Sequence, residues 1–119
     1  MPICQLKTNC PLDDAAREAL LLDTAATAAE LLRKPLPAVM VMLDSCDMRM
    51  NGTADTVFFA EFRYILPQEY TDQKQAFLEL FADQMLTLFR QHTGVDPHRI
   101  YMQFTEMTRE SAWKYTGKD

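Results

Sequence analysis

The sequence predicts an α/β (α+β) domain: two β-α-β units whose strands form one four-stranded mixed sheet, with both helices on one face. Three observations predict it. The order strand, helix, strand occurs twice, in about residues 1–44 and 56–105. Prolines return the chain to extended geometry after each helix, Pro35 and Pro37 after the first and Pro97 after the second. A right-handed crossover makes the two strands of each unit parallel, so joining the units leaves one face of the sheet without helices.

Pro2 to Thr8 reads as the first strand and Asn9-Cys10-Pro11 as a turn. The first helix is expected from about Asp13 to Arg33. Its small-residue face is Ala19, Leu22, Ala26 and Ala29, with Leu20, Leu31 and Leu32 beside it, and Asp14, Arg17, Glu18 and Glu30 are polar. The second strand is Ala38 to Leu43, and Asp44 to Asp55, with Asn51-Gly52, joins the two units. Val57 to Leu66 is the third strand. Strands alternate sides, which puts Phe58, Ala60, Phe62, Tyr64 and Leu66 towards the helices and Val57, Phe59, Glu61, Arg63 and Ile65 on the other face. Pro67 opens a turn, and Thr71 or Asp72 caps a second helix running to about His92. Its stripe of Phe77, Leu80, Phe81, Met85, Leu88 and Phe89 follows three- and four-residue steps until Gly94 ends it. In the last strand, Arg99 to Thr105, the core face carries Ile100, Met102 and Phe104, and the other carries Tyr101, Gln103 and Thr105. Residues 106–119 form a tail. The second sheet face is too apolar to meet water alone and too polar for a closed core, so it is expected to meet other copies of the chain.

The chain has 119 residues, 48% hydrophobic and 24% charged, the composition of one soluble domain spanning 1–119. Twelve Lys+Arg against seventeen Asp+Glu give a net charge of −5, the wrong sign for a dedicated binder of nucleic acid or anionic membrane. No apolar run approaches the roughly 20 residues that cross a bilayer, and no secretory leader is visible. A cytoplasmic protein is expected, with unconventional export left open. Cys4, Cys10 and Cys46 lack a Cys-x-x-Cys or zinc-finger spacing and are expected to be reduced. His92 and His98 lie six apart across a turn and are expected at the surface. Neither a metal nor a cofactor is expected.

Pro2 carries the chemical interest. Removal of Met1 leaves a secondary amine at the start of a strand. An α-amino group has a reference pKa of about 7.7–8.0, a prolyl amine is more basic, and burial near a cation lowers either. Such an amine is a general base near neutral pH.

With Pro2 and the strand ending in Thr8-Asn9 go Lys34-Pro35 before Val39-Met40-Val41, the Asn51-Gly52 loop, Asp96-Pro97-His98-Arg99-Ile100-Tyr101, and Trp113. As a set these resemble the macrophage migration inhibitory factor family of the tautomerase superfamily, over nearly the whole chain. The resemblance implies a cofactor-free tautomerase of the phenylpyruvate type, acting on a small α-keto acid as a homotrimer with sites between subunits. It implies that Pro2 is the catalytic base, that Lys34 and the Ile65 backbone N–H hold the substrate carboxylate, and that Tyr101 comes from a neighbouring subunit. Trp113 matches an aromatic wall of the pocket. Gln103 stands where vertebrate members have Asn, one methylene shorter. The family's Cys-x-x-Cys is replaced by Phe58 to Glu61, so no thiol redox activity is expected, and Leu66-Pro67-Gln68 replaces glycines. Two alternatives are a ferredoxin-like binding module without chemistry, which has the same element order, and a cytokine-like signalling ligand.

Overall fold

The computed structural model describes residues 1–117; positions 118 and 119 of the expected tail lie outside the described residues. The strands are β1 (Ile3–Thr8), β2 (Met40–Ser45), β3 (Phe58–Tyr64) and β4 (Ile100–Glu106), and the helices are α1 (Asp14–Leu32) and α2 (Lys74–Thr93). The sheet order is β2-β1-β3-β4, with β1 parallel to β2, β3 parallel to β4, and β1 antiparallel to β3. Each β-α-β unit therefore keeps its two strands adjacent. A split β-α-β arrangement, in which another strand lies between them, is the ferredoxin-like one, so the ferredoxin-like topology is overturned.

The strand faces follow the sequence pattern. Phe58, Ala60, Phe62, Tyr64 and Ile100 are buried, while Tyr101, Gln103 and Thr105 are exposed. Phe62 sits at the centre, its ring 4.8 Å from that of Phe81 and 5.3 Å from that of Phe104. Val57 departs from expectation. It precedes β3, is only 4% exposed, and its carbonyl accepts a 2.6 Å hydrogen bond from Thr8 Oγ1. On the open face the register sets Met40, Ile3 and Arg63 in one row, Met42, Gln5, Glu61 and Gln103 in the next, and Asp44, Lys7, Phe59 and Tyr101 in a third. Arg63 and Glu61 pair within β3 at 3.1 Å, which mutes the charge of that face.

Asp13 caps α1, its carboxylate accepting from the Ala16 N–H at 2.8 Å. The inward face of α1 differs from the expected one. Leu20, Thr24, Ala28, Ala29 and Leu32 are buried, whereas Ala19 and Ala26 are exposed and Leu22 is 60% exposed. Alanine and leucine surround this helix on nearly all sides, so apolar periodicity does not choose a face. The helix even buries the Thr24 hydroxyl with no partner among the described residues. In α2 the contrast is strong, and Phe77, Phe81, Met85, Leu88 and Phe89 are buried as expected, whereas Leu80, expected in the same stripe, lies at its edge and is 38% exposed. Its start is later than expected, at Lys74, with Gln73 as the N-cap and no side-chain capping bond. Thr71 instead closes a short 3₁₀ turn, donating from Oγ1 to the Gln68 carbonyl at 2.7 Å. No helix among the described residues is long and apolar enough to cross a membrane.

The connection between the units is more ordered than a loop. Asn51 and Gly52 have φ of 55° and 70°, and Met50 and Thr53 exchange two backbone hydrogen bonds of 3.2 Å across them. This is the geometry of a two-residue hairpin turn, where Asn-Gly meets the left-handed requirement at least cost.

Candidate active site

Because β1 runs against β3, the start of β1 lies beside the end of β3, and the right-handed crossover brings the end of α1 to the same place. Pro2 is buried, and its carbonyl accepts from the Met40 N–H at 3.0 Å, which fixes the residue at the head of the parallel β1/β2 pair. Lys34 is delivered by the way α1 ends. Arg33 turns left-handed (φ 56°), its N–H bonding the Glu30 carbonyl at 3.4 Å, and the Lys34 N–H bonds the Ala29 carbonyl at 3.0 Å. This Schellman ending satisfies the last carbonyls and is usually built on glycine. Lys34 is half-buried, and Ile65 directly follows β3.

Lys34 and Ile65 line one cleft of about 820 Å³ with Leu66, Pro67, Arg33 and Arg109. The Met1 amine, one residue before Pro2, is held below its usual pKa of 8.0, chiefly by burial and then by the charges of Lys34 and Lys114. A cation-flanked, partly desolvated amine thus sits at the end of the sheet where Lys34 and Ile65 are found. Lys114 also shows that the tail comes back towards the N-terminus, and its neighbour Trp113 is 79% exposed.

Tyr101 lies elsewhere. It pairs with Phe59 at the start of the parallel β3/β4 ladder, whereas Ile65 follows the far end of β3. Six residues of strand separate the two levels, about 20 Å at ~3.3 Å per residue. Tyr101 is 62% exposed and borders a separate pocket of about 270 Å³ with Met48, Met50 and Phe59. Gln103 is exposed on the open face opposite Glu61. One chain therefore brings Pro2, Lys34 and Ile65 to one end of the sheet and Tyr101 to the other.

Several residues gain roles that sequence reasoning missed. Arg33, Glu69 and Arg109 line the same cleft, and Arg33 Nε pairs with Glu69 Oε1 at 3.2 Å. Arg33 could have been flagged as the neighbour of Lys34, but nothing local marks Arg109. Arg99 is a clamp: its guanidinium donates to the carbonyls of Thr56 (3.1 Å), Met50 (3.2 Å) and Asp55 (3.0 Å). Asn9 works from the other side, accepting from the Val57 N–H at 2.8 Å and donating to the Ala54 carbonyl at 3.1 Å. Together they fasten the hairpin connection against the sheet, so Thr8-Asn9 and Asp96-Pro97-His98-Arg99 owe their distinctiveness to architecture.

His92 departs from the surface position expected for it: it is half-buried, and its Nε2 lies 2.8 Å from Asp23 Oδ2, bridging the helices. Burial pushes the Cys4 thiol up to about 12 and raises that of Cys10 as well, which suits inert core thiols. No group of three or more His, Cys, Asp or Glu among the described residues is placed to hold a metal ion.

No family model matches the sequence, and no curated protein matches it at a significant level. Solved structures do match. A macrophage migration inhibitory factor-like protein from Entamoeba histolytica superposes with a TM-score of 0.81 at 18% identity, covering 96% of this chain and 94% of that one. The homologue from Prochlorococcus marinus gives 0.79 at 22% identity, covering 97% and 96%. The Toxoplasma gondii factor gives 0.74 at 26% identity, covering 98% and 97%. With two helices on a β2-β1-β3-β4 mixed sheet and neighbours of this kind, the chain has the fold of the macrophage migration inhibitory factor homologues, consistent with the tautomerase superfamily.

Proposed function

We propose that the protein is a cofactor-free keto-enol tautomerase of small α-keto acids such as phenylpyruvate, working as a homotrimer with its sites between copies. The observation that carries this reading is the convergence of the N-terminal amine, Lys34 and Ile65 at one end of the sheet, with the amine disfavoured in its charged form. Removal of Met1 makes Pro2 the bearer of that amine. The substrate carboxylate rests on Lys34 and the Ile65 N–H. The neutral Pro2 nitrogen takes a proton from the carbon beside the carbonyl, and the oxygen, gaining charge as the enolate forms, is stabilised near Tyr101 with help from Gln103. Trp113 walls the pocket mouth.

The position of Tyr101 supports the trimer. A tyrosine about 20 Å along the sheet from the level of Ile65 serves that site only from another copy, and the half-buried Phe59, Ile3 and Met42 give the open face a reason to be covered. The test follows the ketonisation of enol-phenylpyruvate by absorbance. The mature protein is expected to be fast, and Pro2→Gly and a form retaining Met1 to be slow. Equal rates in all three would remove the assignment.

A further inference from the structure

We infer that the cleft selects a dicarboxylate, an α-keto acid with a second carboxylate at its far end, and that Arg109 is the residue that reads this second charge. The inference rests on the tautomerase reading for the first carboxylate, at Lys34. The chain as a whole carries −5, yet this cleft gathers three cations, Arg33, Lys34 and Arg109, against a single carboxylate, Glu69. Glu69 is already engaged by Arg33, at 3.2 Å to Nε and 3.5 Å to Nη2. Neither Lys34 nor Arg109 has an ion pair among the described residues. The cleft thus holds two positive charges that no carboxylate among the described residues neutralises.

Arg109 reaches the cleft by a defined route. The Met107 N–H bonds the Tyr64 carbonyl at 2.6 Å, which extends the β3/β4 pairing past the end of β4 and sets the following residues beside Ile65. The same cleft is lined by Leu32, Ile65, Leu66 and the buried Pro67, with Gln68 and Thr71 as its neutral polar members. Apolar lining together with two uncommitted cations, Lys34 and Arg109, suits a short carbon chain that carries two carboxylates. An aryl tail would instead leave Arg109 without a partner. Guanidinium to carboxylate is also a directional, bidentate match, so Arg109 supplies discrimination as well as attraction.

The test compares 2-oxoglutarate with 2-oxopentanoate, which has the same five-carbon chain and no second carboxylate. Isothermal titration calorimetry on the full-length mature assembly is expected to show 2-oxoglutarate binding about tenfold more tightly, as a charge-assisted hydrogen bond provides. Arg109→Gln, at an exposed position, is expected to lower 2-oxoglutarate affinity to that of 2-oxopentanoate. Equal affinities in the wild type, a preference that survives Arg109→Gln, or binding of neither acid overturns the inference. Deuterium exchange at C3, followed by proton NMR on the same samples, separates it from the catalytic reading. A preference without exchange refutes the tautomerase and leaves the dicarboxylate site standing; exchange without preference does the reverse.

Discussion

Arg99→Ala isolates the clamp that fastens the inter-unit hairpin to the sheet. The guanidinium makes three hydrogen bonds of 3.0–3.2 Å to carbonyls of residues 50, 55 and 56. The bonds to Thr56 and Met50 are partly shielded from water, whereas the one to Asp55 is exposed and water replaces it on truncation. At a net ~1–1.5 kcal/mol for each shielded bond and ~0.5 for the exposed one, the substitution costs about 3 kcal/mol. For a domain of this size that lowers Tm by about 10 °C. Urea and thermal unfolding by far-UV circular dichroism, at one fixed protein concentration, measure the loss. Trypsin is expected to cut after the exposed Arg49 faster than in the wild type, because the hairpin is released. Arg90→Ala, at an exposed helix position, serves as the control and is expected to change stability by no more than about 0.5 kcal/mol. If Arg99→Ala costs less than about 1 kcal/mol and cleavage after Arg49 is not accelerated, the clamp is not what holds the connection.

Two further predictions concern the core. Leu20 is fully buried and Leu22 is 60% exposed, so Leu20→Ala is expected to cost about 2–5 kcal/mol and Leu22→Ala less than about 0.5. Similar losses at both sites would mean that α1 presents a different face. The Cys4 thiol, raised from 9.0 to about 12 by burial, ties stability to alkaline pH. The folded chain keeps this proton after the unfolded chain has lost it, so the stabilisation is complete below pH 9.0 and fades as pH climbs towards 12. The slope is about 1.4 kcal/mol per pH unit. Under reducing conditions, the stability gap between wild type and Cys4→Ala should narrow by roughly 2 kcal/mol from pH 8 to pH 10.5; a constant gap would show that Cys4 titrates normally.

Much of the fold was legible because it rests on local periodicity. The alternation Phe58, Ala60, Phe62, Tyr64 and the stripe Phe77, Leu80, Phe81, Met85, Leu88, Phe89 contrast sharply with their neighbours, and of the residues they nominate all but Leu80 are buried. Where contrast was weak, the reading failed. The alanines and leucines of α1 offered several faces, and only packing against α2 and β2 chose the one through Leu20, Thr24 and Ala28. The start of α2 moved for a local reason that was hard to weigh, since a 3₁₀ turn took the residues expected to cap it.

The sequence by itself determined the order of elements, the inward sides of β3 and β4, and the placing of Pro2 and Lys34 at element ends, because these follow from steps of two and four residues and from proline stereochemistry. Tertiary structure decided which distant residues meet. The β1/β3 register, pairing residues up to 60 positions apart such as Ile3 and Arg63, brings the N-terminus to Ile65 and carries Tyr101 to the opposite end. Hydrogen bonds spanning more than 40 residues turn Asn9 and Arg99 into clamps, and the Met107 to Tyr64 bond brings Arg109 to the cleft. Such meetings depend on register and crossover hand, which are properties of the assembled sheet and are not written in any short window of the chain.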